Sequence, residues 1–414
     1  MAHRGFDRGL VGAVAALMAI GLAMLYSAGQ TDVPTALGGV WQRQLVWLGI
    51  GTALAAVVYR VSPRLLEWSA PFVYGGSLVV LALTLVFGTG AGTAAGTKSW
   101  LAIGGVRIGQ PAEVAKIATI LMLARHLGAR RRSLQTLVEL APACVIVGVP
   151  CVLVGLQPDL GSAIVFLGIL FGVLYWAGVA PRLLLLLASP VISLLLAFST
   201  ASWGAWIVVL TILLVVWRPY VLEAAAVWLG NVVMGVVALD LWRRLAPYQQ
   251  NRLLSFLNPE TDPQATGWNI IQSKVAIGSG GLFGKGFTLG TQKRLAFLPA
   301  HQHTDFVFPI LAEEWGFVGV LVALILFAAV LFTLVRIARD ATDPFSSVVV
   351  AGITALLVTH LVENVGMAVG LMPITGIPLP FFSYGGSFLV TCCVAVALSL
   401  RVAWDSRNAG YVER

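Results

Sequence analysis

Apolar residues in this chain run in long blocks, not in the alternation of strands or the narrow stripes of surface helices. The blocks fall at roughly 9–27, 43–59, 70–88, 112–128, 136–156, 160–178, 183–199, 203–217, 221–239, 306–335, 346–370 and 384–404, each near the ~20 residues a helix needs to cross a bilayer core. Helix is the expected form, because inside a bilayer every backbone polar group must find its partner within the segment or its neighbours. The pattern predicts an all-α polytopic membrane protein of about twelve transmembrane helices, with residues 1–414 as a single membrane domain.

Most links between blocks are short, and one is long: residues 240–305, polar and glycine-containing. Arginine and lysine in short links orient a membrane chain. With the N-terminus inside, alternation places Arg60 and Arg64, then Arg125, Arg130, Arg131 and Arg132, then Arg182, Arg218, Arg336, Arg339, Arg401 and Arg407 on the cytoplasmic side. The short outer links near 28–42, 89–110 and 371–383 hold only Lys98 and Arg107. Both termini are therefore expected in the cytoplasm and the long 240–305 loop outside. The first block follows Arg4 and Arg8 without a small-residue cleavage site, so it is expected to remain as a signal anchor.

Composition narrows the class further. Hydrophobic residues make up 58% of the chain and charged residues 11%, too few charges to cover a water-soluble fold of this size. The net charge of +8 lies in the short links, which is topology and not a nucleic-acid patch. The four cysteines, Cys144, Cys151, Cys392 and Cys393, lie in apolar runs without a CxxC pair, as packing residues do.

Candidate chemistry gathers in a few segments. In KRLAFLPAHQHTDF, Asp305 stands at the entrance of the next apolar block, after His301 and His303. A carboxylate there suits a general base, and equally a helix start, where the dipole favours it. His301, His303 and Asp305 would share one face of an extended strand, a weak metal pattern beside the alternative of solvated histidines. The stretch IIQSKVAIGSGGLFGKGF, residues 270–287, combines Lys274 and Lys285 with five glycines at 278, 280, 281, 284 and 286. Close backbone approach and point charge suit a pyrophosphate, and suit anionic lipid headgroups as well. In QPAEVAK, Glu113 and Lys116 lie at i and i+3 near the outer end of the fourth block and can pair on one helix face. In QPDLGSA, Asp159 is either an N-cap or a group facing a polar cavity. The segment PITGIPLPFFSYGGS, 373–387, cannot run as continuous helix, so it is either re-entrant backbone beside a site, with Ser383 in it, or a tight surface loop.

Taken together, QPAEVAK, QPDLGSA, the GSGGLFGKG loop, HTDF followed by AEEWG, and PLPFFSYGGS resemble the shape, elongation, division and sporulation (SEDS) family over most of the chain and in the same order. The lysine-bearing GLFGKG stretch is more similar to its RodA branch than to the related FtsW branch. The resemblance implies a bacterial inner-membrane peptidoglycan glycosyltransferase that polymerises lipid II, with a class B penicillin-binding protein as its transpeptidase partner. It also implies the loop aspartate of the family at Asp305, the fourth-span pair at Glu113 and Lys116, and the QPDLG aspartate at Asp159. Lys274, Lys285, His303 and Ser383 are further candidate substrate contacts. No cofactor is required by this reading, although a divalent cation, magnesium or manganese, would suit a diphosphate leaving group. Family members usually carry acidic residues where this chain has Ala296 and Ala300, which leaves Asp305 the only acid in its segment. The family core has ten spans, so the blocks over 203–239 are expected to be an added hairpin. Rival readings are a lipid II flippase, which also suits many spans and buried charges, and a non-catalytic scaffold.

Overall fold

A computed structural model describes residues 7–32, 37–90, 98–103, 106–130, 134–245, 250, 266–295, 297–298 and 302–412; Arg4, Arg131, Arg132, Ala296, Ala300 and His301 lie outside them. Every one of the twelve apolar blocks is a helix. In chain order these are α1 (Arg8–Ala28), α2 (Val40–Tyr59), α3 (Pro63–Phe87), α4 (Pro111–Gly128), α5 (Leu137–Leu156), α6 (Leu160–Trp176), α7 (Pro181–Leu196), α8 (Thr200–Trp217) and α9 (Val221–Arg244). The described part of the long loop supplies α10 (Thr266–Ser279) and α11 (Thr291–Arg294), and α12 (Val307–Arg339), α13 (Pro344–Val369) and α14 (Gly386–Val412) complete the chain. Eight of these helices are long and apolar enough to cross a membrane. The all-α expectation holds apart from a short antiparallel hairpin, β1 (Leu101–Ile103) with β2 (Val106–Gly109), ahead of α4.

Local chemistry sets the helix starts. Asp7, Ser62, Asp159, Ser199 and Asp343 each accept a backbone N–H of the first turn, and Thr136 with Glu139 closes a reciprocal capping box on α5. Burial then sorts the helices. In α13 and α14, 67% and 78% of the spanning window is buried, against 11% in α8, so the first two are interior and the last is peripheral. Small residues let α13 approach its neighbours closely: Gly352 faces Ile120 of α4, and Gly168 and Gly172 of α6 face Thr359 and Ala355. Helices α8 and α9 attach to α7 through a polar cluster, with Asn231 donating to Ser189 (2.8 Å) and Trp203 to Ser193 (2.9 Å).

The α12 helix departs from the continuous span that its apolar block suggested. At Gly316 the backbone turns to φ 65°, ψ −163°, and the helix breaks. The freed groups are satisfied by the GLFGKG segment lying alongside: Lys285 and Gly286 N–H donate to the carbonyls of Glu313 and Glu314, while Phe317 and Val318 N–H donate to those of Gly281 and Leu282. Residues 307–314 ahead of the break are all buried in protein, so Asp305 heads a buried half-helix, and the lipid-facing stretch begins after Gly316. Two internal ion pairs fix this half-helix. Glu313 binds Lys285 (2.7 Å) and the N–H groups of Thr291 and Gln292, and Glu314 binds Lys293 (2.7 Å) and the Ser27 hydroxyl (2.6 Å) of α1. Lys293 also donates to the Ser27 hydroxyl and carbonyl. Burial pulls the Lys293 ammonium below its usual range, and the facing Glu314 resists that pull.

At the opposite end, Asp7 binds Arg336 (2.6 Å) and Arg407 (2.8 Å), tying the start of α1 to the ends of α12 and α14. The two ends of the described chain therefore meet on one side. Burial by itself would raise the Asp7 pKa, but the Leu10 N–H and the two guanidiniums outweigh it and hold the carboxyl below its ordinary value.

Two outcomes follow from these contacts. An added Cβ at Gly316 would come within 2.3 Å of the Gly284 nitrogen and 2.7 Å of the Leu282 carbonyl, so Gly316→Ala should cost about 2 kcal/mol or more and lower the melting temperature in detergent; an unchanged melt would refute the splice. Because the folded pKa of Asp7 is depressed, its stabilisation is present above about pH 3.9 and lost as pH falls through the lowered folded value. Asp7→Asn should therefore melt earlier than wild type at neutral pH, with the gap closing in acid, as paired thermal melts across pH would register.

Candidate active site

Lys116 sits at the meeting point of α4 and α13, buried on every side. Glu113 stands three residues earlier on the same face, and its Oε1 lies 2.8 Å from the ammonium. A second partner comes from α13, where His360 Nε2 is 3.3 Å from Lys116 Nζ and His360 Nδ1 is 3.1 Å from the Pro378 carbonyl. A carbonyl only accepts, so Nδ1 carries the hydrogen and Nε2 is left to accept from Lys116; this assigns a neutral imidazole from its network. The ring stacks on Phe388, centroids 4.3 Å apart.

Asp159 is the N-cap of α6, and its second oxygen ties α6 to the start of α4. One oxygen caps α6 through the Ser162 N–H (3.0 Å), and the other accepts from the Gln110 side chain (2.8 Å) at the start of α4. Gln110 N–H donates in turn to Ser387 at the start of α14 (3.0 Å). The N-termini of α4, α6 and the α12 half-helix thus converge on the 373–387 segment, where their partial positive charge favours an anion.

Residues 373–385 of that segment are non-helical and mostly buried between α13 and α14, as the re-entrant alternative requires and a surface loop does not. Its carbonyls and amides are served by side chains from other elements. Asn364 of α13 donates one amide hydrogen to the Ile377 carbonyl (2.8 Å) and the other to that of Asp305 (3.1 Å). Gln44 of α2 donates to the Ser383 carbonyl (3.0 Å), and Tyr384 N–H donates to the His303 carbonyl (2.9 Å). A Cβ on Gly161 of α6 would lie within 3.0 Å of the Thr375 carbonyl, and one on Gly376, at φ 79°, would lie 3.5 Å from Asp305 Oδ2. The Asp305 carboxylate therefore lies beside exposed Gly376 and is itself half-buried.

The remaining candidates are placed differently from one another. Residues 302–305 form a turn, so the strand that would align His303 with Asp305 does not form; the His303 ring lies 5.5 Å from Tyr384. The Ser383 hydroxyl accepts from Leu379 N–H (2.8 Å) and closes a turn of the segment. Lys285 donates to Glu313 (2.7 Å) and Thr291 (2.7 Å), which uses two of its three N–H groups, and its side chain stays partly exposed. Lys274 lies against Gly370 at the C-terminal end of α13, where a cation meets the carbonyl end of the dipole. Among the described residues no three His, Cys, Asp or Glu side chains gather into a protein-only metal cage, and no step is assigned to a cation. The cysteines are free, as packing residues.

Four members of the cluster escaped the sequence pattern: His360, Glu363, Asn364 and Gln110. Two of them were within its reach. The rule that singles out Glu113, an ionisable group inside an apolar block, applies equally to His360 and Glu363 in the 346–370 block.

A buried lysine paired with a carboxylate, three converging helix starts and a half-exposed aspartate form a polar cluster inside a multi-pass helical membrane protein, with a charge that suits an anion. The sequence profile of the FtsW/RodA/SpoVE family, described as cell cycle proteins, matches residues 8–204 and 191–408, and the chain belongs to this family of glycosyltransferases. It is similar to the peptidoglycan glycosyltransferase RodA of Treponema pallidum (35% identity, 96% of this chain and 97% of that one) and to MrdB of Escherichia coli K12 (33%, 94% and 90%). It is nearly as similar to the probable peptidoglycan glycosyltransferase FtsW of Thiomicrospira cyclica (34%, 98% and 93%). Among solved structures it superposes on a chain of a peptidoglycan synthase complex that coordinates polymerization and crosslinking (TM-score 0.70, 30% identity, 97% and 99% covered). It also superposes on the rod shape determining protein RodA of Thermus thermophilus (TM-score 0.64, 29% identity, 97% and 98% covered).

Removing one partner of a buried pair strands the other. Glu113→Ala should destabilise the protein by about 3–5 kcal/mol and slow the enzyme, whereas the double variant with Lys116→Met should recover much of the melting temperature and none of the activity. Wild-type rates in Glu113→Ala would reduce the pair to packing.

Proposed function

We propose that this glycosyltransferase polymerises lipid II into glycan strands at the outer face of the bacterial inner membrane, with both termini in the cytoplasm and 240–305 as the large extracytoplasmic loop. The observation that carries the reading is the half-buried Asp305 carboxylate resting against Gly376, on the same backbone segment whose Pro378 carbonyl holds His360 against Lys116. Asp305 takes the proton from the 4-hydroxyl of the acceptor sugar as that oxygen attacks the anomeric carbon of the donor. Configuration inverts, the bond to the lipid diphosphate breaks, and the diphosphate leaves with the electron pair. Lys116 and the helix starts of α4 and α6 stabilise the charge that develops there. Holding two membrane-bound lipids in one site supplies much of the rate through proximity.

A role in cell elongation, not septation, is supported by the GLFGKG stretch. A class B penicillin-binding protein as transpeptidase partner is supported by the likeness to a synthase complex that couples polymerization to crosslinking. The orientation is supported by the arginines of the short links and by Asp7, Arg336 and Arg407 meeting on one side. The α8–α9 pair is read as the hairpin added to the ten-span core, in keeping with its peripheral position.

Purified full-length protein incubated with lipid II should yield glycan polymer, and Asp305→Asn should lose it by about 10²-fold or more with its thermal melt unchanged. Polymer at the wild-type rate would remove Asp305 from the chemistry; lipid II translocation without polymer would make the protein a transporter. In cells, depletion should give rounding, and filamentation would assign septal duty.

A further inference from the structure

Leu282 and Phe283 are the most exposed large apolar side chains of the 266–295 stretch, 64% and 79% open. They form the tip of a turn that Gly284 permits: at its φ of 78° the backbone lies so close to α12 that an added Cβ would strike the Glu314 carbonyl. The patch continues through Phe287, which stacks on Tyr26 at the end of α1 (centroids 6.2 Å apart), and Tyr26 meets Trp41 of α2 edge-on (5.9 Å). Leu289 is exposed as well. A contiguous apolar surface of this kind marks a contact with another apolar phase or molecule. Its height shows which. The N–H groups of Phe317 and Val318, which open the lipid-facing part of α12, donate to the carbonyls of Gly281 and Leu282. From Phe317 to Val335 the helix carries no charge, and Arg336 follows; these 19 residues rise ~28 Å, about the thickness of a bilayer's hydrocarbon core. The tip is therefore held at one edge of that core, where Tyr26 and Trp41 supply the aromatic rings of a membrane–water interface. Lys285, two residues beyond Phe283 and partly exposed, adds an interfacial cation.

We propose that residues 282–289 form an apolar lip inserted into the leaflet on the side of the long loop, the outer one in the orientation above, with Leu282 and Phe283 among lipid acyl chains. Continuity selects lipid over a protein partner: Phe317, Val318 and Leu321 are exposed along the same edge, so the lip prolongs a face that acyl chains already cover. The lip is also fastened to the half-helix that Asp305 heads. Lys285 and Gly286 N–H donate to the carbonyls of Glu313 and Glu314 (2.9 and 3.0 Å), and the Lys285 ammonium pairs with the Glu313 carboxylate. The depth of the lip in the leaflet thus sets the height of Asp305 relative to the headgroups. This consequence rests on the polymerase reading, whereas the insertion does not. A lipid-linked sugar enters at headgroup height, so fixing the half-helix there aligns the carboxylate with the acceptor hydroxyl.

Fluorescence quenching tests the insertion. Full-length protein with a fluorescent amino acid in place of Phe283 is reconstituted into vesicles of phosphatidylcholine and phosphatidylglycerol, with the same probe in place of Phe332, on the lipid face of α12, and of Asn408, near the end of α14, as references. Bromine placed high on the acyl chains should quench the probe at position 283 about as strongly as at 332, and iodide on both sides of the membrane should quench it only at 408. Quenching at 283 by iodide and not by brominated lipid overturns the proposal. Quenching there by neither overturns it too, and assigns the patch to a second copy of the chain. The consequence for the chemistry is read on lipid II in the same vesicles. The double variant Leu282→Ser, Phe283→Ser should polymerise about tenfold more slowly per folded molecule, while Phe283→Trp, which keeps an interfacial ring, should hold the wild-type rate. A double variant at the wild-type rate breaks the link to Asp305; if it fails to fold, Phe283→Ser alone decides by the same comparison. Absence of polymer from wild-type protein would refute the polymerase reading itself, a distinct result that leaves the quenching to decide the insertion.

Discussion

Everything in this molecule depends on one constraint of the bilayer: a backbone that leaves the helix must have its polar groups met by protein. Among the described residues the 373–385 stretch and the break at Gly316 leave it inside the helical body, and both are answered in detail. Gln44, Asn364 and the His303 and Leu379 surroundings serve the first. The GLFGKG loop serves the second, amide against carbonyl. Without those partners each free group would cost several kcal/mol in an apolar medium. With them, irregular backbone becomes a rigid frame on which polar side chains can be aimed.

The frame explains why so many charges survive inside. Glu313 and Glu314 anchor a half-helix to the loop and to α1, each with a lysine and further hydrogen bonds, which is how buried ion pairs become tolerable. Asp305 heads that half-helix, so its position is set by two ion pairs two turns away. On the other side, Lys116 is held by Glu113 from its own helix and His360 from the facing one. Asp305 and Lys116 are thus carried by separate elements that meet on the 373–387 backbone.

Much of the architecture was legible in the chain. Block lengths foretold a helix at each apolar stretch, the i and i+3 spacing foretold the Glu113–Lys116 pair, and the crowding of prolines and glycines foretold a non-helical 373–387. What misled was continuity. The apolar block at 306–335 gives no hint that Gly316 breaks it, because glycine is common in membrane helices and the break is stabilised by residues 281–286, remote in sequence. The ion pair of Lys285 with Glu313 was hidden for the same reason, since the two lie 28 residues apart.

The sequence by itself determined the class of protein and the helix positions, because these follow from hydropathy and length. Tertiary structure alone decided that Lys116 meets His360, that Asp159 joins the starts of α4 and α6, that Glu363 turns inward, and that Asp305 rests against Gly376. Such contacts join residues tens to hundreds of positions apart, and which pairs of helices pack together is set by small-residue complementarity between whole faces, information that no local window of the chain contains.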